Sequence, residues 1–346
     1  MTHASYYKNI DDFIEKNKNN KSKFHLLITE STEFDVNKLK DFDVTGAIFP
    51  EVILNNEHYK EGLLASVLDD KFNVNFVENM KDFSKEDKTF EDKESLIIML
   101  DGLSPDISVF LDSLFGSVSP QTQIIGGGAA KMTLVQEPVI LYNGAWYENA
   151  ALVLSVDSQL HISVENGWDK LVGPFVVTIS EKNILKTLNY SNAFEVYKKY
   201  VEEDSGKKFT KDNFFDISKS YPLGIIKFDK KVVVRDPITL DENNNMVLVG
   251  DIPQNSTINI LKGDKQNLID SSNKAVLKLN KELNKNVFVF DCISRLFFLD
   301  EELKEITKEL KDDSILFGVL SMGEIANSGD EYVSFYNRTC VLGMLC

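Results

Sequence analysis

The stretch Gln121–Met132, QTQIIGGGAAKM, sets Gly126, Gly127 and Gly128 beside Ala129, Ala130 and Lys131. A phosphate loop needs GxxxxGK[ST] with a helix opening at the lysine, but here Met132 and Thr133 follow Lys131 and another strand comes soon after. The GxGxxG dinucleotide fingerprint fails for want of a third glycine in place. The glycines are therefore expected to serve the backbone, through positive φ or close approach at a packed lobe junction. Four further residues suit ligand recognition: Arg235 and Asp236 before the turn DENNN, Arg295 just after Cys292, and Glu324 beside Gly323 in a second turn of small residues. Arginine offers a planar fork to a carboxylate, so this group fits a small acidic or zwitterionic ligand; the alternative is a salt bridge among its own members.

Metal and nucleophile chemistry find less support. His3, His25, His58 and His161 have no second ligand at helical i,i+4 spacing, and His25 lies in an apolar strand pattern that marks a structural histidine. No GxSxG is present, and Cys292 has no histidine nearby in sequence. A cysteine- or carboxylate-dependent enzyme built on Cys292, or on Asp101, Asp291 and Glu324, is the catalytic alternative.

The whole chain narrows the partners. With 346 residues and 43% hydrophobic content it can form two lobes with a sizeable core. Fifty-four acidic against 38 basic side chains give a net charge of −16, which repels nucleic acid and anionic membranes. Cys292, Cys340 and Cys346 form no CxxC or finger spacing, the pattern of reduced thiols in a cytoplasm. The N-terminus lacks a signal-peptide apolar region and no apolar run approaches the roughly 20 residues that cross a bilayer, so a soluble, cytoplasmic protein is expected.

The elements that must position these residues read as mixed α/β, or α+β. Residues 1–22 read as a polar N-terminal extension, 23–172 as a first lobe and 173–346 as a second. Strands are expected at Lys23–Thr29, Val44–Phe49, Asn73–Val77 and SLIIML, and a helix in HYKEGLLASVLDD from the spacing of Leu64, Val67 and Leu68. Lys81–Glu94 is too charged for a core element and reads as a surface connection. Ser104-Pro105-Asp106 opens a helix with Ile107, Phe110, Leu111, Leu114 and Phe115 on one face. EPVILYNGAWYENAALVLSV gives two strands joined through Asn143-Gly144. In the second lobe, FVVTIS, VVVRDPITL and MVLVGDI read as strands, and SNAFEVYKKYVEE and Leu268–Leu283 as helices.

An internal echo links the lobes. Each has an apolar strand ending in Asp101-Gly102 or Asp291-Cys292, then a helix, an apolar run and a turn of small residues. Tyr142-Asn143-Gly144 follows 14 residues after Gly128 and Tyr336-Asn337-Arg338 13 after Gly323, and ALVLSV and TCVLGML come next. This order predicts an internal duplication, two related lobes packed about a pseudo-twofold axis, with a ligand cleft between them.

The motifs YPLGI, VRDPITLD, VGDIPQNSTINILKGD, FDCISR, FGVLSMGEI and FYNRT, preceded by LDGLS, IIGGGAA and YNGAWYENAALVLSV, resemble in their order the FIST family, named for F-box and intracellular signal transduction. The resemblance spans Lys23 to Leu345. It implies a sensory, ligand-binding module that in bacteria is often fused or genetically linked to histidine kinases, chemoreceptors or cyclic-di-nucleotide enzymes. It also implies small ligands such as amino acids. The chain ends soon after its last motif, so the expected output is contact with a separate signalling protein such as a histidine kinase. The ligand-binding residues expected on matching motifs are Gly126, Gly127, Gly128, Arg235, Asp236, Cys292, Arg295, Gly323, Glu324 and Asn337. One branch of the family is reported to bind haem and sense nitric oxide, which makes haem the alternative ligand, with His161 or Cys292 as candidate axial ligands.

Overall fold

The computed structural model describes residues 4–55, 57–210, 212–227, 232–279, 286–299, 315–327 and 332–345. Its basic unit is a parallel strand pair. Ser95–Asp101 and Gln123–Ala129 run parallel, joined through the helix Ile107–Ser117. Both strands are almost wholly buried, so they read as unbroken apolar runs instead of alternating. Ala151–Val156 adds antiparallel to Ser95–Asp101, and Phe72–Val77 adds beyond it.

The same order occurs three times. Lys23–Thr29 and Asp43–Phe49 form a parallel pair flanked by Leu63–Leu68 and Ala4–Tyr7. Val287–Cys292 and Leu316–Ser321 form another, flanked by Cys340–Leu345 and Leu160–Glu165. Each sheet reaches six strands by taking a hairpin from another unit. Ile140–Tyr142 with Ala145–Tyr147 joins Asp43–Phe49, Glu324–Ala326 with Ser334–Tyr336 joins Gln123–Ala129, and Glu51–Leu54 with Glu57–Tyr59 joins Leu316–Ser321. The exchange is cyclic, and the three strands that receive hairpins approach one another at its centre.

The mixed α/β class thus matches the sequence reading, and the echo has a third member in residues 4–68. Its register differs by one position from the sequence alignment. Gly46, Gly126 and Gly318 sit opposite Leu26, Ile98 and Val289, which makes Asp101 the counterpart of Thr29 and Cys292, not of Asp291. One backbone bond repeats accordingly: Thr29, Asp101 and Cys292 donate their N–H to Gly62, Ala150 and Thr339 at 3.1, 3.0 and 3.3 Å. Tyr336-Asn337-Arg338 likewise matches Tyr147-Glu148-Asn149, because Asn143-Gly144 is the hairpin tip, whereas Asn149 and Arg338 both have positive φ just after the hairpin. Since side chains alternate along a strand, the shift puts Asp101 and Asp291 on opposite sheet faces.

Alternation also sorts the core. Leu27, Ile97, Met99, Phe288 and Phe290 join one central cluster, while Ile98 and Leu100 meet the helix residues Phe110 and Leu114 on the outer side. Between Leu160–Glu165 and the rest of the third unit lies an inserted barrel. Its strands Asp169–Glu181, Thr257–Lys262, Leu223–Ile226, Val232–Leu240, Met246–Val249 and Ile184–Leu188 pair in that order, and the last pairs back to the first. The helix Ala193–Ser205 buries Ala193, Phe194, Tyr197 and Val201, with the Asn192 side chain accepting from the Glu195 N–H.

Some segments differ from their reading. The stretch taken as a polar N-terminal extension supplies Ala4–Tyr7 and the helix Ile10–Asn17, which buries Ile10 and Phe13. HYKEGLLASVLDD holds the strand Leu63–Leu68 instead of a helix: it lies between two partner strands and is buried on both faces, so period-2 alternation is lost. The glycine-rich stretch is itself a strand. Lys81–Glu94 runs over the surface as expected, yet anchors itself through buried Phe90. The second-lobe helix spans Lys265–Leu279, and the expected remainder, 280–283, lies outside the described residues.

Candidate functional site at the barrel junction

Arg235 and Asp236 lie on the barrel strand Val232–Leu240 where it meets Ser334–Tyr336, the outer strand of the exchanged hairpin. Arg235 is 9% exposed. Its Nε donates to the Asp251 carbonyl at 2.8 Å, and one terminal nitrogen donates to the carbonyls of Val234 (2.9 Å) and Phe335 (3.0 Å). The guanidinium lies against Gly250, where a Cβ would sit 3.1 Å from Nε. Burial pulls the Arg235 pKa down to about 10, opposed by the more distant carboxylates of Asp251 and Asp236, so the group is cationic at neutral pH. Among the described residues no carboxylate stands at ion-pair distance from it.

The other buried arginines are neutralised. Arg338 pairs with Asp236, stacks 4.8 Å from the Trp168 ring centre, donates to the Lys219 carbonyl, and accepts the Trp168 indole N–H on its own carbonyl at 3.1 Å. Arg295 meets Asp291 at 2.7 Å and reaches the Asn166 carbonyl, the Leu268 carbonyl and Ser272 Oγ. Salt bridges therefore exist, but between partners other than those the sequence grouping offers: Asp236 takes Arg338, and Arg295 takes Asp291. Arg338 gave no sequence signal beyond its place in FYNRT, since its role depends on a strand about a hundred residues away.

Glu324 and Cys292 are buried together. The Glu324 carboxyl accepts from Ser321 Oγ at 3.0 Å and from the Thr339 N–H at 3.3 Å. Burial pushes its pKa well above the usual range, and the negative charge of Asp291 pushes the same way. A folded-state pKa above the unfolded one stabilises fully below the unfolded value, near 4.5, and is lost as pH rises through the folded value. Glu324→Gln is therefore expected to be at least as stable as the native chain at pH 8, with the difference narrowing toward pH 5 in urea titrations. Burial also raises the Cys292 and Cys340 thiols well above their ordinary value. Both are expected to resist iodoacetamide at pH 8 in the folded chain and to react after unfolding in urea; peptide mass mapping reads the result.

The two small-residue turns do meet, through backbone. The Gly128 N–H donates to the Gly323 carbonyl and the Met322 N–H to the Gly128 carbonyl, each at 2.9 Å. Gly126 and Gly127 are packed against Ile98 and against Phe290 and Ser321, so the three glycines provide close approach between strands. Asn337 donates to the Val249 carbonyl at 3.1 Å, tying the hairpin to the barrel. His161 lies apart, exposed on the outer strand opposite Met344, which in turn faces Val287. Val287 is five residues along its strand from Cys292, about 16 Å, too far for His161 and Cys292 to hold one iron from two sides. Among the described residues no group of three His, Cys, Asp or Glu is placed to hold a metal ion, and no helix is long and apolar enough to cross a membrane.

The model of the FIST N domain matches residues 35–191, and that of the FIST C domain matches residues 193–327. The chain belongs to the FIST family. No curated protein matches it. The two FIST domains are tandem along the chain and share the barrel, which takes Asp169–Glu181 and Ile184–Leu188 from the first and its other four strands from the second. FIST domains are associated with sensory ligand binding in signal transduction, and the buried Arg235 lies within the FIST C match.

Proposed function

We propose that this FIST protein is an intracellular sensor whose ligand is a small carboxylate, such as an amino acid, taken up between the barrel and the three-sheet body. The observation that carries the reading is Arg235. Among the described residues this buried guanidinium meets carbonyl dipoles and no negative partner, whereas Arg295 and Arg338 each have one. A ligand carboxylate would accept charge-assisted hydrogen bonds from the other terminal nitrogen, which none of these three bonds uses. Asp236, Glu324, Asn337, Cys292, Arg295 and the meeting glycines hold the junction around it. Arg235 bonds both the barrel carbonyl of Asp251 and the hairpin carbonyl of Phe335, so occupancy would bias how the two bodies sit together. A coupling of about 1–3 kcal/mol suffices to pass the signal to a separate protein such as a histidine kinase.

A thermal-shift panel of the protein amino acids and short dicarboxylates tests this. A ligand at a hundred times its Kd adds about 2.7 kcal/mol, which for a chain of this size raises Tm by a few degrees. No shift with any carboxylate would remove the reading.

A further inference from the structure

A second feature lies away from Arg235 and does not depend on it. A cleft of about 1200 Å³ is lined on one side by the consecutive residues Val74 to Asn79 and on the other by Trp146 to Asn149. Consecutive lining means that main chain, not only alternate side chains, faces the space. The strand Phe72–Val77 is outermost in its sheet, and Ala145–Tyr147 is outermost in the neighbouring one. Each therefore pairs on one side only among the described residues, and every second N–H and C=O points away from its single partner.

The repeated architecture shows what such an edge accepts. One unit round the cycle, the counterpart of Ala145–Tyr147 is Ser334–Tyr336, and there the barrel strand Val232–Leu240 packs against the hairpin, with Arg235 donating to the Phe335 carbonyl. In the remaining copy Tyr6 and Tyr59 stack at 4.0 Å between the corresponding strands. Their counterparts in the cleft, Phe76 and Tyr147, are tilted at 58°, and Phe76 instead stacks on Tyr142 at 4.4 Å. In one copy that edge carbonyl thus accepts from an arginine of a neighbouring strand, without strand pairing, while in another the edge lies beside a wide cleft. The lining also carries Glu78, Asp82, Asp87 and Glu148 and no lysine or arginine.

We infer that this cleft binds an extended, basic segment of a partner protein by strand addition, main-chain hydrogen bonds holding the segment and the four carboxylates selecting its charge. The probe is a fluorescein-labelled decapeptide of alternating lysine and valine, titrated against the full chain by fluorescence anisotropy. Saturable binding is expected, weakened at least tenfold by the double substitution Glu78→Lys with Glu148→Lys and lost in peptides methylated at every peptide nitrogen, which blocks both edges of the extended segment. Both substituted residues are exposed, and the variant's melting curve checks its fold; if it melts early, the methylated peptides on the native chain decide. No saturable binding would overturn the inference. So would equal binding of the methylated peptides, or their displacement by spermine with the same profile as the parent peptide, which would mark a site for small polycations.

Discussion

Arg338→Met is expected to cost the folded state about 3–5 kcal/mol, because it strands the Asp236 carboxylate in a buried site that no other cation reaches at ion-pair distance among the described residues. The substitution also removes the guanidinium from the Trp168 ring and from the Lys219 carbonyl. Burial already pushes the Asp236 pKa up, and Arg338 is the main influence holding it down. Without Arg338 the carboxyl takes a proton more readily, so the loss should be smaller at pH 5 than at pH 8. Adding Asp236→Asn should recover part of the cost, giving a coupling of about 1–3 kcal/mol in a double-mutant cycle of urea midpoints. Additive costs would mean that the pair does not fasten the barrel to the third sheet.

Gly318→Ala is expected to be comparably damaging. A Cβ at Gly318 would lie 1.8 Å from the Val289 carbonyl oxygen, and the counterparts Gly126 and Gly46 meet the Ile98 and Leu26 carbonyl oxygens at 2.2 and 2.4 Å. These obstacles are backbone atoms of the parallel partner strand, so relief requires the strands to separate. A loss of ~3 kcal/mol or more follows, at the upper end for overpacking. Gly206→Ala is the control: its φ of 68° makes it strained, but nothing stands within 4 Å, so it should cost about 1 kcal/mol. Equal losses at the two positions would remove the claim that these glycines permit close strand approach.

The sequence disclosed the fold to the extent that its signals were local. The helix Ile107–Ser117 carried its periodic face in the open, and the strands of the parallel pairs showed as apolar runs of strand length. Leu63–Leu68 did not, because burial on both faces erases the alternation that separates strand from helix. The repeat was visible in two copies and out of register by one residue, since Asp101 and Asp291 look alike in sequence while the equivalent position holds Cys292. The copy at residues 4–68 shares shape with the others and few residue types, apart from Gly46 and Tyr59. At the site, Arg235, Asp236, Cys292, Arg295, Gly323, Glu324 and Asn337 could be singled out as residue types, but which arginine takes which acid depends on contacts between segments tens to a hundred residues apart.

Calorimetric titration of the native chain and of Arg235→Gln, with the protein amino acids and their decarboxylated amines, bears most directly on the proposed ligand. At least one amino acid is expected to bind the native chain, its amine not to bind, and Arg235→Gln to lose the amino acid by a hundredfold or more, with a urea titration showing that the variant is folded under the conditions of the measurement. Undiminished binding to Arg235→Gln, or equal affinity for the amine, would contradict a carboxylate ligand held by Arg235.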